Sequence, residues 1–268
     1  MAEAQPLPIR VLVKGASLTH DISARPQQRE DFIFSRVIEE SLLGSGHGAN
    51  VWTSAVASQP TSHIFRTWEA EIKAWSPDVV VLNAGYYEPV HLFLPRWLER
   101  HANSLKARPG PIRSRYRQHL LRPVWKTLAR VQQQLDKRIG GRFFGRTVRR
   151  AGADLHAYID RTREVGKPLV MVFEFLRPGA RGRDWFPGME ARVEMMNVML
   201  RKLVADYDDP DVMLVRIPDI IDRHLPPGTE PNNDGFHYNP DVHRFIGEEI
   251  AEEIRTWAKQ YPRLAPRD

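Results

Sequence analysis

The chain contains no cysteine. Disulfides, thiolate nucleophiles and cysteine-ligated metal centres are therefore excluded. It has no apolar run long enough to span a bilayer. Met1 to Pro8 lacks a basic start followed by an apolar stretch, so no secretory signal is expected and the expected compartment is the cytoplasm. There is no Gly-x-Gly-x-x-Gly, no phosphate-loop lysine motif and no His-Glu-x-x-His pattern, so nucleotide and zinc-protease chemistry have no motif to stand on. Acid is nearly missing from residues 96–150, which carry 16 Lys and Arg against only Glu99 and Asp136, a local charge of +14. The remaining 23 basic and 31 acidic residues sum to −8, so this one segment accounts for the whole net charge of +6. A field concentrated in this way attracts anionic partners.

What is present is enough apolar sequence to build a core: 42% of 268 residues, which predicts a single domain over 1–268 with room for an insertion. Ile9 to Lys14 reads as a buried strand running into Gly15. A helix is expected from Asp31 to Leu43, ended by Gly44 and Gly46. A strand over Ala49–Val56 and a helix over Ser62–Trp75 follow. Asp78 to Asn83 is the clearest strand, with four consecutive apolar residues that suit cover on both faces. The alternation then breaks. Residues 89–150 hold arginine-rich stretches with Trp125, Leu128, Val131 and Leu135 at helical spacing, and read as a helical insertion. Alternation resumes with helix Ala153–Glu164, strand Pro168–Phe175, helix Met189–Ala205, strand Val212–Ile217, a loop holding Asp234–His237, and a helix from Pro240 to Lys259. Five strands alternating with helices predict an α/β domain with a mainly parallel sheet.

Two loops of this pattern carry chemistry. Ser17 follows the first strand, and Asp234 and His237 precede the last helix. A serine hydroxyl is a poor nucleophile until a neutral imidazole takes its proton, and the imidazole needs a carboxylate to hold its tautomer. Ligands of open parallel sheets collect at the C-terminal strand ends, where both loops are expected.

These residues resemble the motifs of the SGNH hydrolases, also called GDSL esterases and lipases. Gly15-Ala16-Ser17-Leu18-Thr19 is similar to the family's Gly-Asp-Ser-Leu block, Asp234-Gly235-Phe236-His237 to its C-terminal Asp-x-x-His, and Asn83-Ala84-Gly85-Tyr86-Tyr87-Glu88 to the block after its third strand. The resemblance spans about residues 9–88 and 150–258. It implies a flavodoxin-like three-layer α/β/α fold and a serine esterase in which Ser17, Asp234 and His237 are catalytic. It also implies an oxyanion hole built from the Ser17 N–H, a second-block N–H at Ser58 or Gln59, and Tyr87 in place of the family's asparagine. Ala16 replaces an aspartate that is not a triad member, the second block lacks its glycine, and Asn83 lies upstream of the family's oxyanion position.

The expected substrate is a small ester, a lipid or a glycan ester, cleaved through an acyl-enzyme without a cofactor. Acyl transfer on the same fold, and a non-catalytic protein that binds an anionic partner, are the alternatives. Asp234, His237 and His243 form a weaker metal-site alternative. His20, His47 and His63 read as surface or packing histidines, His63 also standing near the second-block loop. The 96–150 segment is either a solvated lid or a platform for an anionic partner or a membrane surface. No motif supports nucleic-acid binding.

Overall fold

Five strands build the sheet: β1 (Ile9–Gly15), β2 (Ala49–Ala55), β3 (Val79–Asn83), β4 (Leu169–Phe173) and β5 (Val212–Val215). All pair in parallel, in the order β2-β1-β3-β4-β5. The computed structural model describes residues 7–19, 33–56, 59–90, 101, 110–232, 234–264 and 266. Every residue of β3 and β4 is buried, as their unbroken apolar sequences demand when helices cover both faces.

The helices sort by the handedness of their crossovers. α1 (Phe34–Gly44) connects β1 to β2 and packs against the last helix, Pro240–Ala258. The helices Gly145–Glu164 and Met189–Tyr207 lead into β4 and β5 and pack against each other on the opposite face. In chain order the remaining elements are α2 (Thr61–Ile64), α3 (Tyr87–Val90), α4 (Pro111–Tyr116), α5 (Arg122–Ile139), α6 (Gly145–Glu164), α7 (Ala180–Trp185), α8 (Met189–Tyr207), α9 (Ile217–His224) and α10 (Pro240–Ala258). This is the three-layer flavodoxin-like arrangement expected from the strand–helix alternation.

Ile217, expected to end the last strand, instead opens α9, and neither α7 nor α9 was expected. Two further elements differ from expectation. The helix expected over Ser62–Trp75 is α2, a 3-10 turn at Phe65–Thr67 and a π-helical turn at Glu69–Lys73. The cause is tertiary. Lys14 points from β1 into the interior with 1% exposure, and its ammonium donates to Glu71 Oε1 (2.6 Å), Thr67 Oγ1 (2.7 Å) and Ser54 Oγ (3.0 Å). A buried ammonium needs a paired carboxylate and filled donors. Thr67 and Glu71, four residues apart, converge on it and bond each other (2.8 Å). The second difference is α6, which starts at Gly145 rather than near Ala153, so one helix runs through the border expected at 150.

Candidate active site

The strand order reverses direction between β1 and β3, because β2 lies on one side of β1 and β3–β5 on the other. Loops leaving the C-terminal ends of these two strands diverge and open a crevice there. Ser17 stands at this crevice. It opens a 3-10 turn, Ser17–Thr19, two residues beyond the end of β1. It is half-buried, and among the described residues its N–H makes no hydrogen bond.

The β3 loop lies beside it. Ala16 N–H donates to Asn83 O (3.1 Å), and Ala16 is buried against Gly85. Gly85 has φ +74°, and a Cβ placed on it would sit 2.3 Å from the Ala16 Cβ. Backbone conformation and space thus both require glycine at this position. The next residue, Tyr86, is buried and donates its hydroxyl to Leu176 O. Its ring meets Phe236 at 6.3 Å between centroids. The contacts Ala16–Gly85 and Tyr86–Phe236 bring the loops of Ser17 and His237 each against the β3 loop.

The second loop is held tightly. Asn232 and Tyr238 pair in an antiparallel bridge that closes its base, and Asn239 caps α10 by accepting the Val242 N–H (2.8 Å). Gly235 has φ +91° and lies so close to α7 that a Cβ would fall 2.4 Å from Gly182 N. Inside the loop, Asp234 Oδ1 accepts the N–H groups of Phe236 (2.9 Å) and His237 (2.8 Å), while Oδ2 lies 2.7 Å from His237 Nδ1. Partial burial works to raise the Asp234 pKa. The His237 ring and the two backbone N–H groups outweigh burial and hold the carboxyl well below its ordinary value. An ionised carboxylate only accepts, so Nδ1–H is the donor, and in the neutral ring Nε2 carries the lone pair. His237 is 17% exposed and Asp234 39%, so the imidazole is open to a ligand. Among the described residues no hydrogen bond links Ser17 Oγ to His237 in this structure.

The remaining sequence candidates fall as follows. Tyr87 begins α3 and is half-buried. Ser58 and His20 lie outside the described residues, while Gln59 is described and half-buried. His63 is exposed and His47 is buried at the far end of α1, beside Ser45. His243 is buried in α10, its Nδ1 accepting the Phe34 N–H (3.3 Å) and its ring stacked on Phe34, which commits it to the core.

Two residues stand out that spacing alone does not reveal. Asn83 ends β3 opposite Gly15; its Oδ1 accepts the Gly85 N–H (3.2 Å), and its buried Nδ2 has no hydrogen-bond partner among the described residues. Glu88 is buried and joins two loops, its Oε1 accepting both the N–H (2.7 Å) and the hydroxyl (2.9 Å) of Thr61. Burial raises the Glu88 pKa, with Asp154 adding to the effect against the Thr61 hydrogen bonds.

No protein-family model and no curated protein matches the chain. Solved structures do. A catalytic mutant of Axe2, an acetylxylan esterase from Geobacillus stearothermophilus, superposes with a TM-score of 0.58 at 13% identity, covering 98% of this chain and 100% of that one. A lipase/acylhydrolase from Enterococcus faecalis gives 0.57 at 14% identity, over 97% of this chain and 99% of its own. Est24, a carbohydrate acetylesterase from Sinorhizobium meliloti, gives 0.55 at 12%, over 93% and 99%. The chain has the SGNH-hydrolase fold. The loop carrying Asp234 and His237 meets the β3 loop through Phe236 and Tyr86.

Proposed function

We propose that the protein is a serine-dependent ester hydrolase working through an acyl-enzyme, with Ser17 as nucleophile, His237 as general base and acid, and Asp234 as the group that orients His237. The observation that carries this reading is the 2.7 Å pair of Asp234 Oδ2 and His237 Nδ1, which leaves Nε2 as a base on an imidazole open to solvent at the sheet edge where Ser17 lies.

In the proposed reaction Ser17 Oγ bonds to the ester carbonyl carbon as its proton passes to His237 Nε2. The Ser17–His237 hydrogen bond closes in the substrate complex, as such bonds commonly tighten on binding. Negative charge gathers on the former carbonyl oxygen, where the unspent Ser17 N–H donates; Tyr87 and an N–H of the Ser58–Gln59 segment complete the hole. Collapse expels the alcohol, which takes the proton back from His237. Water then repeats the sequence on the acyl-enzyme and releases the acid. Asp234 stays ionised throughout and stabilises the imidazolium. The substrate class is a small ester, including lipid and glycan esters.

The test is labelling with a fluorophosphonate and turnover of p-nitrophenyl acetate. Ser17→Ala is expected to abolish the label and to lower turnover by on the order of 10⁶-fold. Retained hydrolysis in that variant, or a label carried by another residue, would remove Ser17 from the mechanism.

A further inference from the structure

We infer that the segment Pro111–Ile139 is an interfacial element that docks the protein on an anionic lipid bilayer. Three successive helical pieces, α4, a π-helical turn at Arg117–Leu121 and α5, form this segment. At 1.5 Å per residue it extends roughly 43 Å. It is a rod on the protein surface rather than a part of the sandwich.

Its sequence is nearly free of acid. Between 110 and 150 the one acid is Asp136, which is 1% exposed and committed to Arg192. Arg122, Lys126, Arg130, Lys137 and Arg138 of α5 are all exposed, and among the described residues none of them forms an ion pair. Apolar side chains are exposed in the same segment: Ile112 at 83%, Leu120 at 60%, Val124 and Val131 at 49% and Leu135 at 38%, with Phe143 at 77% just beyond it.

The two kinds of residue are sorted on α5. At about 100° per residue, Val124, Val131 and Leu135 fall within about 40° of one another, and Arg122, Lys126, Arg130 and Lys137 share a separate arc of about 80°. The buried Gln132 and Asp136 mark the third face, which is bonded to the protein. The solvent side is therefore half basic and half apolar, with Arg138 on the apolar side. A solvated lid has no use for exposed leucine and valine in register, and a soluble polyanion needs the cations alone. A bilayer of acidic lipid takes both, since the apolar half sinks to the acyl boundary while the basic half meets the headgroups. No helix among the described residues is long and apolar enough to cross a membrane, so the contact is peripheral.

The full chain is to be sedimented with vesicles of phosphatidylcholine alone and of phosphatidylcholine mixed with phosphatidylglycerol. Binding is expected on the mixed vesicles, weakening as salt rises, and little on phosphatidylcholine alone. The variant Val124→Gln/Val131→Gln/Leu135→Gln keeps the charge and favours helix, and is expected to bind about tenfold or more weakly. Arg122→Gln/Lys126→Gln/Arg130→Gln is expected to lose the preference for acidic lipid. Circular dichroism confirms that these surface variants fold. Equal binding to both vesicles, or none to either, overturns the inference. So does binding that the apolar variant leaves intact, which assigns the segment to a soluble polyanion. Vesicle binding is read without turnover, so its failure leaves the esterase proposal standing.

Discussion

Replacing Asp136 by alanine isolates the bond that fastens α5 to the protein. Asp136 and Arg192 have fully buried side chains. The guanidinium grips both carboxylate oxygens, Nη2 to Oδ2 at 3.0 Å and Nη1 to Oδ1, while its Nε donates to Pro89 O (2.6 Å) and Nη1 also to Gly140 O (3.3 Å). Asp136 Oδ2 accepts the Gly188 N–H as well (2.9 Å). Removing the carboxylate strands a buried cation and leaves an N–H without its acceptor, a loss of about 3–5 kcal/mol. In a chain of this size that lowers the melting midpoint by roughly 5–9 °C. Urea titration and calorimetry measure it, and a double-mutant cycle with Arg192→Met assigns it. The two charges fail together, so the double variant should fall short of the sum of the singles by about 2–3 kcal/mol. A cost below about 1 kcal/mol for Asp136→Ala, or additivity within about 0.5 kcal/mol, would refute the view that this pair locks the insertion.

Three further outcomes are expected. Asp234→Asn keeps the loop's shape but loses the tautomer control on His237, and turnover of p-nitrophenyl acetate should drop by about 10⁴-fold with KM little changed; an active variant removes Asp234 from the relay. Glu88 has a folded pKa above its unfolded value, so the fold binds more protons and stability falls as pH rises from the unfolded toward the folded pKa. Glu88→Gln should therefore flatten that decline and be more stable than the parent above the window but not below it, as read from urea midpoints against pH. Gly85→Ala should destabilise by about 1–3 kcal/mol from its positive φ and its clash with Ala16, with Ala16→Gly relieving only the clash.

The sheet was legible because its central strands are apolar throughout. Val79 to Leu82 and Leu169 to Phe173 admit little but a strand covered on both faces, and the long helical crossovers between such strands give the parallel order. Asp234 and His237 were legible because a separation of three in a tight loop is a local property. The Lys14–Glu71 pair was not, since a lysine closing a strand looks like a solvated end until the partner arrives from 57 residues away. Arg192 and Asp136 were hidden in the same way, in two charged helices that read as solvent faces. Asn83 was set aside because it lies upstream of the family's oxyanion position, yet it ends β3 opposite Gly15 and its buried Nδ2 has no hydrogen-bond partner among the described residues.

The loop after β3 is bonded to the basic segment that contains α5. Three consecutive residues following Tyr87 are each fixed by a different element. Glu88 holds Thr61 at the β2 loop, Pro89 O receives Arg192 from α8, and Val90 O receives Gln132 from α5 (2.9 Å). Arg192 adds a fourth constraint, because the guanidinium that reaches Pro89 is the one that grips Asp136 of α5. The position of α5 and that of the β3 loop are thus set by one buried cation and one buried amide. A surface that takes hold of the exposed faces of α5 acts on a helix whose third face is bonded to the loop carrying Tyr87.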